Sequence, residues 1–77
     1  MNQILLLLFR LVLFHGPDGQ MIDINPEAVV SVREPRASEG HFGPKVHCLI
    51  NTADGKYAAV VEDCEAVRSL LDAAKGG

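Results

Sequence analysis

The sequence predicts a small α+β domain, mainly β, with about five mostly antiparallel strands in hairpins and one C-terminal helix. Two Asp-Gly turns, Asp18–Gly19 and Asp54–Gly55, each separate apolar runs of strand length, and Asp-Gly in that setting is a strong short-range hairpin signal. The segments beside these turns place apolar residues at every second position, the strand period. Only the final segment, 63–75, changes to the helical period of 3.6 residues.

The chain has 77 residues and reads as a single small domain, 1–77. So short a chain hides a smaller share of its apolar surface than a longer one. Small domains therefore add disulfides, a metal or a partner subunit. Apolar residues make up 48% of this one, a large load for the volume available. Cys48 and Cys64 are its two cysteines, too few for a disulfide framework. With nothing marking secretion, a reduced cytoplasm is expected. There is no Cys-x-x-Cys pair and no His/Cys cluster at zinc spacing, so no cofactor is expected. Self-association is the remaining supplement, which makes a homo-oligomer the expected state, with a further protein partner open. The net charge of −3 disfavours nucleic acid, whose binding domains carry a basic excess.

Taken in order, the chain opens on its most hydrophobic stretch, Ile4–Phe14. A transmembrane helix needs ~20 apolar residues. This run is shorter and Arg10 interrupts it, so no membrane span is expected. A signal peptide wants positive charge before the apolar run and small residues after it; Met1-Asn2-Gln3 and His15-Gly16-Pro17 supply neither. A strand buried on both faces needs no alternation, and the turn that follows at once favours that reading over Arg10–Phe14. Residues 1–9 form an apolar N-terminal extension, helical or extended. Left exposed it would be an aggregation hazard, and a partner subunit is its simplest cover.

His15–Gly19 is a turn: Pro17 presets φ, Asp18 can bond the following backbone, and Gly19 accepts positive φ. Gln20–Ile24 alternates, with Ile22 and Ile24 opposite Asp23. Asn25-Pro26-Glu27 makes a corner, because proline cannot donate to a ladder. The third strand is expected to set Ala28, Val30 and Val32 on one face and Val29, Ser31 and Arg33 on the other. Residues 34–45 form one long loop holding Pro35, Gly40, Gly43 and Pro44; such loops are often functional or disordered. Val46–Thr52 is a strand with Val46, Cys48 and Ile50 on one face and Leu49 on the other. After the turn at Ala53-Asp54-Gly55, Lys56–Val61 sets Tyr57, Ala59 and Val61 against Ala58 and Val60. Strands apolar on two sides predict a sheet covered on both faces. In the helix, 63–75, Asp63 is the N-cap and Cys64, Val67, Leu70, Leu71 and Ala74 form the apolar stripe. Arg68 and Asp72 sit four apart on the polar side, and Glu65 and Lys75 suit the helix dipole. Gly76-Gly77 ends it.

Few residues offer chemistry. His47 and Cys48 are strand neighbours and point to opposite faces, so they cannot chelate one metal without a bulge. Cys48 is expected as a small buried hydrophobe. Cys64 could be reactive at a helix start, but its place on the stripe favours packing. His15 is a turn residue. Asp18 and Asp54 could pair as carboxylates, yet each has a turn role that accounts for it. Ser31, Ser38 and Ser69 lack a Gly-x-Ser-x-Gly context, and no phosphate-cradling glycine loop is present. No catalytic residue is nominated, and the chain is not expected to be an enzyme. The candidate interaction loop carries Arg33, Arg36, His41 and Lys45, offset by Glu34 and Glu39.

The order of elements is itself informative: Arg10-Leu-Val-Leu13, an Asp-Gly turn, Ile22-Asp-Ile-Asn-Pro-Glu-Ala-Val-Val-Ser-Val32, a loop, a strand, Asp54-Gly-Lys-Tyr57, and a helix with Glu65-Ala-Val-Arg-Ser-Leu-Leu71. It resembles the small flagellar and swarming motility proteins (FlbD-like) over about Arg10 to Ala74. The extension at 1–9 and the loop at 34–45 depart from that compact pattern. The resemblance implies no enzyme activity and no site residues. The expected function is a self-associating, non-enzymatic interaction or structural module. The same order also resembles part of the LytTR-type DNA-binding domain, in which loops between strands touch DNA. That implies the alternative, a nucleic-acid-binding module using the 33–45 loop. A third reading is a small-molecule binder between sheet and helix.

Overall fold

The structure, a computed structural model, describes residues 11–76; the apolar extension at 1–9 lies outside them. In chain order the strands are β1 (Val12–His15), β2 (Met21–Ile24), β3 (Val29–Arg33), β4 (Cys48–Thr52) and β5 (Tyr57–Val60), followed by helix α1 (Cys64–Gly76). Short 3-10 segments lie at Pro26–Ala28 and Ala37–Phe42. All strand pairs are antiparallel. β1 and β2 form one sheet, and β3, β4 and β5 form another with β4 in the middle. The α+β, mainly β class is the one that the turns and periods predict.

The first hairpin folds where the turn residues dictate. Gly19 has φ of +85°, a region open to glycine at little cost. Its details differ from the expectation for Asp18: the Asp18 N–H donates to the Gln20 side chain at 3.0 Å. Val12, Phe14 and Ile24 face inward and are buried. Leu11 and Leu13 are not, so the described part of Arg10–Phe14, residues 11–14, is not buried on both faces. A two-stranded hairpin rests on the core by one face only, and the residues between Val12 and Phe14 must point away from it.

Asn25 caps the 3-10 corner by accepting the Glu27 N–H at 3.0 Å, and Pro26 is buried there. Ala28 belongs to this corner rather than to β3. Between Val29, paired with Thr52, and Ser31, paired with Asn51, the register shifts by one residue. This β-bulge turns the expected faces around: Val29 and Val32 both pack on the core, while Val30 is 69% exposed. An inserted residue breaks the two-residue alternation on its own strand.

Cys48, Ile50, Val60, Val67 and Leu71 meet Val12, Phe14 and Ile24 in one core. The Asp63 carboxylate accepts the Ala66 N–H at 2.8 Å, confirming its capping role. Leu70 is exposed, so the helix buries a narrower stripe than expected: Cys64, Val67 and Leu71, with Ala74 at its margin. Leu49 is buried on the other side of the sheet, next to its partners Arg33 and Ala59. The long loop lies over that side. Glu39 grips Arg33, and Phe42 meets Tyr57 edge-on at 5.5 Å. The three-stranded sheet is thus covered on both faces, as its two-sided apolar strands predict.

Candidate interaction surface

Of the four nominated cations of the 33–45 loop, one is paired within the loop and three are exposed. Arg33 is committed to Glu39, its two terminal nitrogens donating to the two carboxylate oxygens at 2.7 and 2.8 Å. The same carboxylate accepts the Arg36 backbone N–H at 2.9 Å. These hydrogen bonds, from the Arg33 side chain first and the Arg36 backbone second, hold the Glu39 carboxyl at about 2. The Arg33 guanidinium is raised in turn by Glu39. The Arg36 side chain stays exposed, as does Lys45. His41 is exposed and lies over Phe42, ring centres 4.3 Å apart.

Asp54, His47 and Ser31 each have a partner. Asp54 accepts the Lys56 N–H at 3.1 Å and the Thr52 hydroxyl. Those bonds, the Thr52 hydroxyl above all, lower its carboxyl below the usual value. This is the turn role expected for it. His47 points away from Cys48, and its Nδ1 sits 2.8 Å from the Val61 carbonyl. A carbonyl can only accept, so Nδ1 carries the proton there. Ser31 accepts from the Asn51 amide at 2.9 Å. Among the described residues no group of three or more His, Cys, Asp or Glu could hold a metal ion, and no helix is long and apolar enough to cross a membrane. The cleft of about 270 Å³ between β3 and α1, lined by Val30, Arg68 and Asp72 among others, is open to solvent. So is a cleft of about 460 Å³ that includes Asp23, Asp54 and Tyr57.

Three features escape the sequence. One is the outer face of the β1–β2 hairpin, where Leu11, Leu13 and Met21 are 55%, 42% and 71% exposed. His15 opposite Met21, and Asp23 opposite Leu13, share that face. Period two was the available signal, but a continuous apolar run conceals it. The second is a clasp between the sheets. The His15 N–H donates to Glu62 Oε1 at 3.0 Å, its Nδ1 lies 2.7 Å from Oε2, and its carbonyl accepts the Val61 N–H at 2.8 Å. Burial pushes the Glu62 carboxyl up, but the His15 hydrogen bonds outweigh it and the net shift is downward. The third is a disulfide, Cys48–Cys64, with Cα atoms 5.0 Å apart. Both residues are buried in the core as expected, yet they are bonded to each other. This corrects the view of them as separate hydrophobes. The strand period sends Cys48 to the core face, and the first turn of α1 brings Cys64 above it.

Compared with known protein families, curated proteins and solved structures, the chain shows no match.

Proposed function

We propose a non-enzymatic interaction module that self-associates through the outer face of the β1–β2 hairpin. The observation that supports it is the exposed trio Leu11, Leu13 and Met21, gathered on one face of two paired strands. Covering each such side chain is worth roughly 1.5–3 kcal/mol. Scattered exposed apolar residues mean little, but a grouped patch marks an interface. A second copy is the occupant that fits best. Among the described residues β2 pairs only with β1, and its other edge can meet an identical edge about a two-fold axis. In the sequence, the apolar run Ile4–Phe9 precedes Leu11 with Arg10 between them, which extends the load that one small core must otherwise hide. The order of elements, which resembles that of the FlbD-like motility proteins, fits a module without catalytic groups. The 33–45 loop serves nucleic acid poorly, because Arg33 is already held by Glu39.

Sedimentation equilibrium of the full chain tests this. A dimer or larger assembly at micromolar concentration, dissociated by Leu13→Glu, is the expected result. A monomer for the unaltered chain under those conditions would overturn the proposal.

A further inference from the structure

We propose that Cys48 and Cys64 form a structural staple, made in an oxidising compartment, that keeps α1 docked on the three-stranded sheet. The bond joins the first residue of the central strand β4 to the first residue of α1. It acts where the helix begins, beside the Asp63 cap. Among the described residues, besides Cys64, the helix places Val67 and Leu71 in the core, with Ala74 at its edge. A helix of 13 residues is marginal alone in water and relies on packing. Two aliphatic anchors are a thin hold for it. The cross-link adds a third anchor that cannot slide.

Its position also separates a staple from a switch. Both sulfurs are buried, and thiol–disulfide exchange needs access to a sulfur. In forming the bond, one thiolate attacks a disulfide oxidant to give a mixed disulfide. The second thiolate then displaces the oxidant, which leaves as a dithiol carrying the two electrons and, by way of solvent, the two protons that the cysteine thiols gave up. A dithiol reductant reverses these steps, but only after α1 lifts. A bond so shielded persists through the life of the folded protein and is at home where thiols are oxidised.

Acid-quenched alkylation of the full chain in its native cells, read by intact mass, gives the first test. A chain that takes up no alkyl group is the expected result. A chain carrying two alkylated thiols would overturn the assignment. The second test compares oxidised protein with protein reduced under denaturing conditions and refolded with reductant. The melting temperature should fall by about 10 °C or more, and α1 amides should exchange faster while those of β4 stay protected. Equal melting temperatures, or equal exchange in α1, would overturn the staple. Because the unaltered chain is compared in two redox states, no variant that fails to fold enters the test. The two redox states are compared at one protein concentration, because association shifts a melting temperature.

Discussion

His15 and Glu62 meet at the place where hydrogen bonds join the two sheets. The backbone N–H and Nδ1 of His15 engage the two carboxylate oxygens at 3.0 and 2.7 Å, while the His15 carbonyl accepts the Val61 N–H. The hairpin also holds to the rest of the described residues by chain connection and by Val12, Phe14 and Ile24 in the core, with Ile22 packed against it. An isolated two-stranded hairpin is marginal in water, so this clasp and these four side chains set its orientation.

Glu62→Ala is therefore expected to loosen the hairpin. With His15 about half exposed, the solvent-screened pair is worth about 0.5–1 kcal/mol. The pH sign follows from the lowered Glu62 carboxyl. Its contribution is present above the ordinary carboxylate range and is lost as pH falls through the depressed folded value. Chemical denaturation from neutral to acid pH should show that acid loss in the unaltered chain and a smaller one in the variant.

Glu39 organises the long loop through Arg33 and the Arg36 backbone. Glu39→Gln should leave the fold intact and raise protease cleavage within 36–42 several-fold. The carboxyl lies at about 2, so the clamp holds above the usual carboxylate range and is released only as pH falls toward that value. Limited proteolysis at neutral pH, and hydrogen exchange of the loop down to acid pH, read both effects.

Phe14 is fully buried in the core. Phe14→Ala should cost about 3–5 kcal/mol, a large part of the 5–15 kcal/mol typical of a domain. Urea unfolding should show a correspondingly lower midpoint. Val30 offers the contrast: it sits at the bulge and is exposed. Val30→Thr should shift stability by no more than about 0.5 kcal/mol.

Met21→Glu places a charge on the outer hairpin face without entering the core. It should weaken self-association at least tenfold, because losing an apolar contact of roughly 1.5–3 kcal/mol corresponds to a factor of about ten or more. The melting temperature of the monomeric fraction should stay unchanged. Sedimentation velocity and differential scanning calorimetry check the two statements.

How much of this was legible beforehand depended on the range of the interactions. The Asp-Gly turns, the Asn25-Pro26 corner, the Asp63 cap and the helical stripe were readable because each rests on neighbours within a few residues. The bulge at Val30 was not, since it is defined by which residues of β4 lie opposite. Leu70 was misassigned because period alone does not say how wide a stripe the sheet can cover. In the candidate loop the charges were legible, but the grip of Glu39 on Arg33 depends on how the loop folds back.

The sequence by itself determined the strands, the turns, the helix and the class of fold, because backbone preference and apolar period act locally. Only the tertiary structure decided which apolar residues were left outside on Leu11, Leu13 and Met21, that His15 reaches Glu62, and that Cys48 is bonded to Cys64. Those partners lie far apart along the chain and meet only when the sheets and the helix close around one core.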